Sequence, residues 1–184
     1  MTAPASIADA RIVELDRQPT IAVRLEIPLP ELAAAFDRWI PQIVAKTSSI
    51  GASIAGAPFA RYHRFGPDGT DVEIGFPVST VPADLRSLAA EPLGPVAASA
   101  LPGGTVATGV HIGPYDGLNG AYDALHAWIH AQPGVDDGDG PWEVYVTDPS
   151  AVSDPADLRT EIFWPLRRTR SLAGALRRGR DRSR

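Results

Sequence analysis

The second half of this chain repeats the order of signals found in its first half, so the fold has to be built from two like units. Thr20 and the apolar-alternating run after it match Thr105 and its run. Phe36-x-x-Trp39-Ile40 matches Leu125-x-x-Trp128-Ile129, and Pro58-Phe59-Ala60-Arg61-Tyr62 matches Pro141-Trp142-Glu143-Val144-Tyr145. Glu73-Ile74-x-x-Pro77-Val78 matches Glu161-Ile162-x-x-Pro165-Leu166. Four signals in the same order define a repeat of strand–helix–strand–strand. Two such units pair as α+β halves, with helices on one side of antiparallel sheets and a groove near the pseudo-twofold axis.

The local patterns support those elements. Arg11–Leu15 and Ile21–Ile27 alternate apolar and polar residues, the mark of strands with one buried face. Pro28 ends the second run, and Pro30 suits the first turn of a helix, where its missing N–H costs nothing. Leu32, Ala35, Phe36, Trp39 and Ile40 keep helical spacing, with Pro41 expected to kink or end the helix. Phe59–Phe65 and Asp71–Val78 read as strands around the turn Gly66–Gly69. Residues 81–104 hold four prolines and read as a connector with one helical turn at most. Thr105–Ile112 is a further strand, Asp116 is placed to cap the next helix, and that helix puts Ala121, Tyr122, Leu125, Trp128 and Ile129 on one face. Pro133–Gly140 reads as a loop, Trp142–Thr147 as a strand, and Thr160–Leu166 as a closing strand bounded by Pro165.

At 184 residues the chain is long enough to bury a core in one domain or two small ones. No apolar run is long enough to cross a bilayer, and Met1–Asp9 lacks an export pattern, so the expected location is cytoplasmic. The absence of cysteine excludes disulfides, thiolate metal sites and cysteine nucleophiles. The net charge of −5 is unevenly spread: residues 1–166 carry −12 and residues 167–184 carry +7. An acidic body disfavours direct nucleic-acid binding and favours cationic ligands. The Arg-rich tail, 167–184, reads as a disordered segment that is able to touch an anionic partner.

With these residues in view, the chain resembles the GyrI-like small-molecule-binding domain, the effector-binding module of AraC- and MerR-type regulators, in a stand-alone form. The matching segments are Asp71–Val78, His111–Leu118, Ala121-Tyr122-x-x-Leu125-x-x-Trp128-Ile129, Trp142–Tyr145 and Glu161–Leu166. The resemblance covers most of residues 10–166 within a domain read as 1–166, with repeats at about 10–80 and 104–166. It implies a ligand groove between two repeats, with the Glu of the closing strand in that groove to meet cationic, aromatic ligands. Position 161 carries that Glu. About ten residues precede the first strand, so a DNA-binding helical domain of the regulator kind is not expected here.

Strand parity sorts the candidate residues. Ile21, Val23, Leu25, Val106, Thr108 and Val110 are expected toward the helices, and Ala22, Arg24, Ala107, Gly109 and His111 toward the groove. Tyr62, Glu143, Tyr145, Glu161 and Phe163 are expected on the groove side, collecting rings and two carboxylates suited to flat cations. Glu161 is either a ligand anchor or acid/base, or else an edge-strand solvated residue or a partner of Arg24 or Arg64. Tyr62 and Tyr145 are either ligand contacts or packing residues. Trp142 and Trp164 have the opposite parity and read as core or pocket rim. His111 either orders the turn at Gly113-Pro114-Tyr115 or serves the site. His126 and His130, four apart on a helix, read as a solvated face with no third metal ligand nearby in sequence. No cofactor, metal or membrane is expected.

Three functions remain open on these residues. The first is a binding protein for aromatic or cationic molecules, acting in sensing or sequestration. The second, implied by the resemblance, is a hydrolase for reactive cyclopropane-bearing natural products, with Glu161 as acid/base and Tyr145 as hydrogen-bond donor. The third is a protein-binding adaptor.

Overall fold

A computed structural model describes residues 7–66, 69–80 and 95–169. The strands are β1 (Ala8–Leu15), β2 (Gln18–Ile27), β3 (Ser53–Ile54), β4 (Phe59–Arg64), β5 (Thr70–Thr80), β6 (Val96–Leu101), β7 (Gly104–Ile112), β8 (Val135–Asp137), β9 (Trp142–Tyr145) and β10 (Arg159–Arg168). The helices are α1 (Leu32–Ser49) and α2 (Leu118–His130). The strands form one sheet in the order β1-β7-β10-β9-β4-β5-β2-β6, with β3 beside β5 and β8 beside β10. The described pairings are antiparallel. This is an α+β fold.

The pairing of the first half is repeated in the second. β5 lies between β2 and β4, and β10 lies between β7 and β9. The halves meet where β4 pairs β9, with Ala60 opposite Glu143. Each half also lends its first strand to the other: β1 pairs β7, and β6 pairs β2. Only Asp16-Arg17 separates β1, at one end of the order, from β2, next to the other end. An open sheet must curl to allow this. Its two faces then carry different cores.

One face is covered by the helices. Ile21, Val23, Ile74 and Val78 pack with Ala35 and Ile43 of α1. Ala107 and Ile162 pack with Ala121, Leu125 and Ile129 of α2. The apolar residues of α1 and α2 recur at three- and four-residue steps, which places them on one stripe toward the sheet. The other face holds Ala22, Phe59, Leu101, Val106 and Trp142, with Val13, Leu15, Val144 and Phe163 against them. Trp142 stacks on Phe163 with centroids 5.2 Å apart. Each large side chain buried in these clusters contributes about 1.5–3 kcal/mol of transfer free energy. Gly75 is required by close strand approach, since a Cβ there would lie 2.4 Å from the Ile21 carbonyl oxygen.

Several expectations shift. The connector 81–104 contains strand β6, whose small residues Ala97, Ala98, Ser99 and Ala100 gave no alternation to read. β8 lies in the expected loop 133–140 and is too short and acidic to stand out. Pro165 does not end the closing strand: β10 continues to Arg168. Its pairing with β9 stops at Phe163 and that with β8 begins at Leu166, so Pro165 sits in a gap where its missing N–H deprives no neighbour. Arg167 and Arg168 therefore belong to the sheet, and residues 170–184 lie outside the described residues. Pro41 lies inside α1, which runs on to Ser49. Asp116 sits in a short 3-10 turn, Tyr115–Gly117, and α2 starts without a side-chain cap.

Candidate functional site

The groove lies on the helix-bearing face, between α1 and α2, with β4 and β9 as its floor. It encloses about 1950 Å³ and is lined by both helices, the floor strands and the 137–141 and 146–149 loops. Glu143 stands at its base, only 3% exposed. Tyr145, two residues along β9 and thus on the same face, donates its hydroxyl to Glu143 Oε2 at 2.6 Å. The Tyr62, Tyr122 and Tyr145 hydroxyls all favour the ionised carboxylate, yet burial prevails and pushes the Glu143 pKa up. Burial first, and then the Glu143 charge, push all three phenols well above their ordinary range, so they remain donors at neutral pH. Among the described residues, the buried Tyr122 hydroxyl has no partner in hydrogen-bonding geometry.

Aromatic rings wall this carboxylate. Phe36 of α1 and Tyr115 both meet Tyr145 edge-on, at 5.1 and 5.5 Å between centroids. Tyr122 of α2 meets Trp164 of β10 at 5.7 Å, and Trp164 Nε1 donates to the Gly138 carbonyl at 2.9 Å. The rim is acidic, with Asp37, Asp116, Asp123, Asp137, Asp139 and Asp148 among the lining residues against one arginine, Arg64. A deep carboxylate, ring faces and an acidic rim form a site that attracts cations and gives their apolar bodies somewhere to rest.

The structure brings together Glu143, Tyr145 and Tyr62 of the residues expected from sequence, and it separates Glu161, Phe163 and His111 from them. Directly paired residues share a face, and Tyr145 is opposite Thr160, whereas Glu161 is opposite Val144. Glu161 therefore points to the far side of the sheet. There it meets Arg159, 3.3 Å away, rather than Arg24 or Arg64. Phe163 is on that same far side, stacked on Trp142. His111 is buried against Gly117, where a Cβ would lie 2.8 Å from its ring. Its Nε2 is 3.0 Å from the Pro114 carbonyl, an acceptor only, so that nitrogen carries the proton and orders the turn.

A one-residue slip explains the parity error in β7. Thr20 and Thr105 match in sequence, but Thr20 pairs Pro77 while Val106 pairs the matching Pro165. A slip of one moves every side chain to the other face. Ala107 thus faces α2, and Val106 belongs to the far-side core. The groove itself also lies on the helix side, between the helices, and not on the bare face. Phe36, Tyr115 and Tyr122 were not among the expected site residues, and Trp164 was read as core or rim. Only the distance between the two helices makes them groove walls, and no spacing in sequence encodes that distance.

The described family of GyrI-like small molecule binding domains matches residues 8–167 of this chain. The chain belongs to that family. Among solved structures, this GyrI-like domain is similar to the EcmrR C-terminal domain, with 23% identity, a TM-score of 0.70, and coverage of 88% of this chain and 98% of that one. In the EcmrR–DNA complex the corresponding figures are 24%, 0.71, 88% and 58%, so the domain spans little more than half of that longer chain. SAV2435 bound to tetraphenylphosphonium is similar at 12% identity and a TM-score of 0.59, covering 86% of this chain and 94% of that one. A Listeria innocua hydrolase is similar at 10% identity and a TM-score of 0.58, covering 86% and 91%. No curated protein sequence matches the chain. No helix among the described residues is long and apolar enough to cross a membrane.

Proposed function

We propose that this GyrI-like domain captures aromatic, lipophilic cations in the groove between α1 and α2, with Glu143 as the counter-charge, in sensing or sequestration. The observation that carries the reading is the Glu143 carboxylate, buried at the base of an aromatic-walled groove, hydrogen-bonded by the Tyr145 hydroxyl and, among the described residues, in no ion pair with a cationic side chain. A buried anion without a cationic partner is costly. An incoming cation relieves that cost, while Phe36, Tyr115, Tyr145 and Trp164 supply ring surfaces for its body. Calorimetric titration with tetraphenylphosphonium and with tetraphenylborate, which have the same shape and opposite charge, tests the reading. The cation binds and the anion does not; equal binding of both would leave only a greasy groove and sink the role of charge.

A second reading, hydrolysis in the same groove, is favoured by the Tyr145–Glu143 hydrogen bond at 2.6 Å. A carboxyl group with a raised pKa beside a phenol donor is a general acid/base pair. Glu143 takes a proton from the attacking water as the strained ring C–C bond breaks and its electron pair passes to the conjugated carbonyl oxygen; Tyr145 turns its hydroxyl from Glu143 to that oxygen, and Glu143 returns the proton to the opened ring. Turnover of a cyclopropane-bearing electrophile that stops in Glu143→Gln separates this reading from binding alone.

A further inference from the structure

One cluster of metal-ligating side chains plays no part in the groove chemistry above. His126 and His130 stand one turn apart on α2, and the chain returns through β8 to set Asp137 over them. His126 Nε2 and His130 Nε2 are 3.0 Å apart. Asp137 Oδ1 is 3.1 Å from His130 Nε2 and 3.6 Å from His126 Nε2. Three ligand atoms thus converge within one small triangle. Donors bound at about 2.0–2.1 Å to one tetrahedral Zn²⁺ lie roughly 3.3 Å from each other, so an ion caps this triangle without a side chain moving far.

The surroundings hold the triangle in place. Asp136 Oδ1 lies 3.5 Å from His130 Nδ1, where an acceptor orients a metal-bound imidazole. The same oxygen accepts from the Asp137 N–H at 3.0 Å. Arg167 Nε donates to the Asp137 carbonyl at 2.8 Å, and Leu166 pairs with Asp137 across the β8–β10 ladder. The Trp164 ring closes one side, 5.4 Å from the His126 ring. Two solvated histidines on a helix need not aim the same nitrogen at the same carboxylate oxygen.

We propose that His126, His130 and Asp137 form a binding site for one divalent transition-metal ion, Zn²⁺ in the first instance. Two imidazoles with one carboxylate suit zinc and its first-row neighbours, whereas calcium and magnesium want oxygen ligands. Three protein ligands leave a fourth position open to water or a ligand atom. The site lies at one end of the groove, since Asp137 and Trp164 line both, yet it involves neither Glu143 nor Tyr145 and stands independently of the reading of that pair.

The test is a titration of chelator-treated full-length chain with Zn²⁺ against a chromophoric chelator, repeated with Co²⁺ to read coordination from its visible absorption. Wild type is expected to bind one equivalent, with the intense Co²⁺ bands of four-coordination. His130→Ala is expected to abolish stoichiometric binding. Asp137→Ala is expected to weaken it by at least the roughly 10–100-fold that loss of a ligand's outer partner causes. Apo thermal melts establish that each variant is folded, and Asp137→Asn serves in place of the alanine variant if that one is not. Asp137→Ala binding as tightly as wild type would reduce the site to a helical histidine pair and overturn the proposal. So would the absence of stoichiometric binding by wild type.

Discussion

Glu143→Gln separates the energetic roles of charge and shape in the groove. Glutamine is nearly isosteric and keeps an acceptor for the Tyr145 hydroxyl, which in the wild type lies 2.6 Å from Oε2. What it loses is the negative charge. Two unit charges about 5 Å apart at an effective dielectric near 20 attract by roughly 3 kcal/mol. Residual desolvation of the cation offsets part of this, so tetraphenylphosphonium affinity is expected to fall roughly 10–100-fold, with each tenfold worth about 1.4 kcal/mol. The unliganded protein moves the other way. Burial raises the Glu143 pKa, so the folded state holds this proton more tightly than the unfolded state. The associated stability is fully present below the unfolded-state pKa of glutamate and is lost as the pH rises through the raised folded-state pKa. The variant lacks this loss, so its melting temperature at neutral pH should equal or exceed that of wild type, and the two profiles should converge in acid. Calorimetric titration and thermal melts across pH are the assays. An unchanged affinity for the cation would refute the reasoning, as would a variant less stable than wild type at neutral pH but not in acid.

Other outcomes follow from the same geometry. Wild-type affinity for a permanent cation should fall on acidification as Glu143 protonates, and the fall should begin at higher pH than an ordinary carboxylate would give; a titration series over pH checks this. Glu161→Gln, on the far face beside Arg159, should leave cation affinity unchanged within about twofold and stability within about 1 kcal/mol. Ile162→Ala, at a fully buried position against α2, should cost about 2–5 kcal/mol in denaturant unfolding. Gly75→Ala should destabilise by about 1–3 kcal/mol or more, because its Cβ would meet the Ile21 carbonyl and the Ala22 Cβ at 2.4 and 2.6 Å.

Much of the fold was legible because its elements advertise themselves locally. The alternation in Ile21–Ile27 and the stripes of α1 and α2 are short-range signals of burial, and Pro58–Tyr62 and Pro141–Tyr145 mark the strands that meet at β4 and β9. β6 was hidden because the small residues Ala97–Ala100 show no apolar alternation, although they pair with β2. The site was legible in composition and not in placement. Tyr62, Glu143 and Tyr145 follow from parity within a strand, but relating β9 to β10 needs the register between them, and one residue of slip put Glu161 where Thr160 stands. The His126–His130–Asp137 triangle was out of reach for a like reason: Asp137 meets the helix histidines because β8 folds back beside them and pairs β10.

The central claim, that a cation sits between the two helices over Glu143, is tested most directly by a crystal structure of this domain with tetraphenylphosphonium. The expected result places the phosphonium above the Glu143 carboxylate, its phenyl groups against Phe36, Tyr115, Tyr145 and Trp164. A cation bound instead on the opposite face of the sheet, beside Glu161 or in the small cavity near Arg24, Arg61 and Glu73, would contradict it.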